Sequence, residues 1–192
     1  MVNSFGIEVP LPKTRPDRDT EFGKAVIAAI IARSHELLGN PAPDIEFHEL
    51  RLSGARPHLM VRGDGKAVIV QLSDCSDHDW EAFISEFAHE CVHMLNPVRG
   101  NASYLEEGIA EEFAFYTQKE FGIVPLSQSI KEYKEASEVV RRASGDPLSF
   151  AKEVRSKLGA LSGFEAKDLL SKFPGLDADL AAKLSSICRT VE

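Results

Sequence analysis

An α+β fold is predicted by three features of this sequence. Between Asp44 and Ser73 apolar and polar residues alternate, which is the period of strands. On either side the apolar residues recur every three or four positions, which is the period of helices. From Leu126 onward every patterned segment reads as helix. The expected architecture is a small sheet beside a long amphipathic helix, followed by a mostly helical C-terminal part. Residues 1–145 read as the main domain, and 146–192 as a helical subdomain either appended or integral to it.

Taken in order, residues 1–19 are charged and rich in proline and read as an extended lead-in. Residues 20–38 carry a broad apolar face of Phe22, Ala25, Val26, Ala29, Ile30 and Leu37. Thr20 is the expected cap, and Gly39-Asn40-Pro41 stops the helix. Residues 45–50, 57–63 and 66–73 read as three strands, with Gly63-Asp64-Gly65 as a hairpin turn between the last two. His48 and His58 are expected in cross-strand or surface positions, with a place facing the cleft as the lesser alternative. Asp74, Asp77, His78 and Asp79 form a polar cluster read as turn and capping chemistry, with a second cation site as the minor alternative.

Residues 78–97 have helical period. Trp80, Phe83, Ile84, Phe87, Ala88, Cys91, Val92 and Leu95 form the apolar stripe. Ser76 or Asp77 is the expected N-cap, and Asn96-Pro97 the stop. A second helix is expected from 104 to 116. A third runs from 126 to 143, with Ile130, Tyr133, Val139 and Val140 inside. Residues 144–147 break the chain, and short helices follow at 150–158, 163–173 and 177–189.

The net charge of −8 argues against broad nucleic-acid binding. The longest apolar run, 25–32, is too short to span a bilayer. The first twenty residues lack the apolar core of a secretory leader. Three scattered cysteines suit a reducing compartment better than a disulfide framework. A cytoplasmic setting, with no membrane and no nucleic-acid partner, is the expectation.

The chemistry is concentrated in HECVH, from His89 to His93. On a helix, positions i and i+4 lie on one face, so both imidazoles can reach one cation. Glu90 sits beside them, clear of the apolar stripe. Two nitrogen ligands, a water position and a carboxylate base are what a catalytic zinc needs. Downstream stands YLEEGIAEEFAFY, from Tyr104 to Tyr116, with carboxylates at Glu106, Glu107, Glu111 and Glu112.

HECVH resembles the HExxH motif of the zincin metallopeptidases. The metzincin extension is missing, since Asn96 and Arg99 stand where its glycine and third histidine would be. EEGIAE resembles the second motif of the gluzincins. That resemblance, covering about residues 78–120, implies Glu107 as third zinc ligand and Glu111 as the carboxylate orienting a ligating histidine. It also implies a small antiparallel sheet with an edge strand that holds an extended peptide; residues 67–72 are the candidate edge. Gluzincins supply an oxyanion donor from a downstream Tyr or His. Tyr133 is the candidate by position, with Tyr104 as the alternative. Arg141 and Arg142 could meet a substrate carboxylate, though a solvated helix end is the plainer reading.

The function expected is a zinc-dependent metallohydrolase acting on peptide or protein, with Glu90 as general base towards a metal-activated water. One alternative is a zincin-fold binding or regulatory module that holds metal with little turnover. Another is a metal-free helical interaction protein. Oligomeric state is not legible in the sequence.

Overall fold

The computed structural model describes residues 1–63, 66–98, 100–125 and 131–189. Among them are seven α-helices and one three-stranded mixed sheet, an α+β architecture with a helical C-terminal part. The elements are α1 (Thr20–Leu38), β1 (Glu46–Gly54), β2 (His58–Val61), β3 (Ala67–Ser73), α2 (Trp80–His93), α3 (Tyr104–Glu120), α4 (Lys131–Ala143), α5 (Pro147–Leu158), α6 (Ala166–Lys172) and α7 (Ala178–Ser185). No helix among the described residues is long and apolar enough to cross a membrane.

The sheet departs from expectation in two ways. Its order is β1-β3-β2, with β1 parallel and β2 antiparallel to β3. It is therefore mixed rather than antiparallel. Residues 67–72 lie in the central strand, not at an edge. The reason is burial. Val68, Val70 and Leu72 are fully enclosed, and their neighbours Leu50, Leu52, Leu59 and Val61 cover them from both sides. Alternation reveals which face is buried but not how many neighbours a strand has. The free antiparallel edge is β2. The hairpin predicted at Gly63-Asp64-Gly65 falls partly outside the described residues, but Arg62 N–H donates to Ala67 C=O at 2.9 Å across its base.

The buried face of the sheet packs on α2 and α1. Phe83, Ile84, Phe87, Val26, Ile30 and Leu38 join Val68, Val70 and Leu72 in one continuous core. The same core extends to Val154, Leu169 and Leu184 of the C-terminal helices. Caps shift by a residue or more from expectation. Asp19, not Thr20, accepts from Phe22 N–H at 3.3 Å and starts α1. Asp79, not Ser76 or Asp77, starts α2 by accepting from Glu81 N–H. The cause is Glu86, whose carboxylate binds Ser73 N–H and the hydroxyls of Ser73 and Ser76. This holds Asp74–Asp77 in a 3-10 turn ahead of the helix.

Helices α3 and α4 approach closely at Gly108. A Cβ there would lie 2.5 Å from Ala136 C=O and from a Val140 methyl. Only glycine permits this crossing, which brings the first turn of α4, with Tyr133, over α3. Helix α4 begins at Lys131; the expected start at 126–130 lies outside the described residues. Helices α6 and α7 are shorter than expected. Residues 186–188 leave α7 to pair with the start of α3: Tyr104 N–H donates to Ser186 C=O and Cys188 N–H to Ala102 C=O, both at 2.9 Å.

Candidate metal centre

The HECVH motif forms the last turn and a half of α2, buried against α3. His89 and His93 lie on one face with ring centroids 5.0 Å apart. Their Nε2 atoms are 3.2 Å apart. Glu107 Oε2, from the first turn of α3, lies 3.3 Å from the first and 3.5 Å from the second. Three donor atoms from two helices thus converge. Ligands held about 2.0–2.1 Å from a tetrahedral zinc ion lie about 3.3–3.4 Å from one another. The spacing found matches that edge length.

The other ring nitrogens are engaged from behind. Glu111 Oε1 is 3.0 Å from His89 Nδ1. Glu106 Oε1 is 2.7 Å from His93 Nδ1. A carboxylate accepting from Nδ1–H fixes the tautomer, so the Nε2 lone pairs face the common point. Glu107 Oε2 is buried and makes no well-oriented hydrogen bond, despite its two close nitrogens. A buried carboxylate oxygen left in that condition is costly unless a cation meets it. The donor set and its geometry fit zinc.

Electrostatics bind the cluster together. Burial alone would depress the pKa of His89, but Glu107 and Glu111 outweigh it and raise the value to about 10. His93 is likewise raised well above the ordinary imidazole range, burial being overcome by Glu107 and Glu106. Burial would raise Glu107, yet His93 and His89 hold its carboxyl well below the usual range. Protons and metal therefore compete for the same lone pairs.

A cavity of about 170 Å³ opens onto this cluster. It is lined by His89, Glu90, His93, Glu106 and Glu107, by Tyr133, and by Pro57 with His58 and Leu59 of β2. Glu90 is 4% exposed. Burial raises its pKa, with His93 and His89 pulling the other way. The Tyr133 ring packs at 5.2 Å from that of His89, and burial followed by Glu107 pushes its hydroxyl pKa upward.

Tyr104 points elsewhere: its hydroxyl donates to Glu135 at 3.1 Å, and Lys183 covers its ring. Arg141 pairs with Glu112 at 2.8 Å, on a separate and larger groove of about 800 Å³ that contains none of the three donors. Arg142 is exposed. Cys91 is buried on the packing side of α2, and burial pushes its thiol up to about 12. His48 lies on the sheet surface near Arg62. His58 is exposed and stands opposite Gln71 across the strand pair, as expected, and it also lines the cavity, the alternative that the sequence left open. The role of Glu106 behind His93 was missed by sequence reasoning. For Glu106 the only signal was adjacency to Glu107.

No family model, curated protein or solved structure matches this chain.

Proposed function

We propose that this protein is a zinc-dependent metallohydrolase, most simply a small peptidase of the zincin, gluzincin-like type. The observation that carries the reading is the convergence of His89 Nε2, His93 Nε2 and Glu107 Oε2 at 3.2–3.5 Å beside a solvent-reaching cavity. His89, His93 and Glu107 would hold the ion, and Glu111 would steady His89. When bound, zinc acidifies a coordinated water and polarises a carbonyl.

The chain's own groups supply the rest. Glu90 lies in the cavity with a raised pKa, which suits a carboxylate that takes a proton from the attacking water and returns it to the leaving amine. Tyr133 keeps its proton at neutral pH, so its hydroxyl can donate to the oxygen of a carbonyl under attack. The free edge of β2, which reaches the cavity at His58, offers main-chain groups to an extended peptide. The reading takes peptide or protein as substrate, in the cytoplasm, in line with three free cysteines among the described residues.

The test is a peptide-panel assay on zinc-loaded protein, with Glu90→Gln beside it. Hydrolysis that requires zinc and is lost in the variant is the expected result. Hydrolysis that survives the change contradicts the mechanism. A wild-type protein that holds zinc and cleaves nothing in the panel favours a binding or regulatory module instead.

A further inference from the structure

We infer that the C-terminal part of the chain is a working component of the metal centre, acting through Glu106 as a positioning residue for His93. The inference rests on the metal reading above.

Glu106 is 2% exposed. A carboxylate so deeply buried destabilises a fold unless something requires it. Its Oε1 accepts from His93 Nδ1 at 2.7 Å, while Oε2 is buried with no hydrogen-bond partner. Packing alone has no use for this arrangement. A ligand whose ring must be held in one tautomer and one orientation does.

What holds Glu106 comes from the far end of the sequence. Its N–H donates to the Ser103 hydroxyl at 3.2 Å, the N-cap of α3. That hydroxyl donates to Leu161 C=O at 2.8 Å and accepts from the Ser162 hydroxyl at 3.0 Å. The Ser162 hydroxyl in turn accepts from Ser103 N–H at 2.9 Å. Both hydroxyls of this buried pair are engaged, which fixes the pair's orientation. The pairing of residues 186–188 with 102–104 closes the other side. The first turn of α3, with both Glu106 and Glu107, therefore sits in a socket built by the α5–α6 loop and the segment after α7. A cap made locally would have sufficed for a helix; here the cap is anchored 58 and 59 residues downstream.

The experiment measures Zn²⁺ affinity of the full chain by competition with a chromogenic chelator. The variants are Glu106→Gln, Ser162→Ala and the double change. Glu106→Gln is expected to weaken zinc binding about 10–100-fold, and to move the visible absorption bands of the Co²⁺-loaded protein. A merely structural role would lower the melting temperature and leave both readouts unmoved. Ser162→Ala is expected to weaken binding several-fold, and the double variant to lose less than the product of the two. Ser162→Gly, which leaves room for a water at the lost hydroxyl, takes its place should the alanine variant not fold. Losses that multiply, or an unchanged affinity in Glu106→Gln while Glu107→Ala abolishes binding, overturn this inference alone. A wild-type chain that binds no zinc overturns it together with the metal reading.

Discussion

Two clusters among the described residues combine histidine with neighbouring acids, and they differ in what those acids do. The first is Asp74, Asp77, His78 and Asp79 ahead of α2. There Asp79 caps the helix, Asp77 pairs with His78 and Arg15, and His78, Asp74 and Asp79 are exposed. The second is His89, His93 and Glu107, where three donors converge and two further carboxylates press on the imidazoles from behind. The lesson is that a candidate centre is defined by what stands behind the donors as much as by the donors. In the first cluster Asp79 serves the backbone, and Asp77 and His78 serve each other at the surface. In the second, Glu107 Oε2 is buried without a well-oriented hydrogen bond.

The sharpest way to break the comparison is to remove one donor from each cluster. His89→Ala or Glu107→Ala is expected to abolish stoichiometric zinc, while Asp77→Ala and His78→Ala leave it intact; elemental analysis of the purified variants decides. Next in size is Glu90→Gln, which should keep its zinc and lose about 10²–10⁴-fold in kcat, the usual contribution of a general base. Tyr133→Phe is expected to cost about 10²-fold in kcat at unchanged zinc content, in line with loss of an oxyanion donor. Equal rates for Tyr133→Phe and wild type would remove Tyr133 from the mechanism.

Smaller, and specific to the second cluster, is the dependence on pH. His89 is raised to about 10 from an ordinary value of 6.5. In chelator-treated protein its protonated form contributes stability that is fully present below about 6.5 and lost as pH rises through about 10. Zinc binding must displace that proton, so affinity should rise with pH across the same window, by about tenfold per unit for each proton displaced. Across that window the melting temperature should fall with pH without zinc and stay nearly level at saturating zinc, where neither the folded nor the unfolded chain carries the proton. Parallel slopes would mean that metal and protons do not share the imidazoles.

Much of this was legible in the sequence, for identifiable reasons. The i, i+4 spacing of His89 and His93 requires only a helix, and the stripe from Trp80 to Leu95 made that helix plain. The α+β class followed from the change of period at Asp44 and again after Ser73. The choice of Glu107 over its three neighbours rested on resemblance alone, because helix periodicity cannot say which carboxylate faces a second helix. Sheet order was hidden: alternation in β3 is the same whether the strand is central or at an edge. The role of Glu106 was hidden too, since it depends on how distant segments pack. For Glu106 those segments include Leu161 and Ser162, which no local pattern could connect to residue 103.

Zinc-edge X-ray absorption on the zinc-loaded protein tests the central claim most directly. The account predicts one equivalent of zinc with two imidazoles and oxygen donors at about 2.0–2.1 Å, and loss of one oxygen donor or of the metal in Glu107→Ala. Zinc bound without two imidazoles, or less than one equivalent bound at saturation, would contradict it.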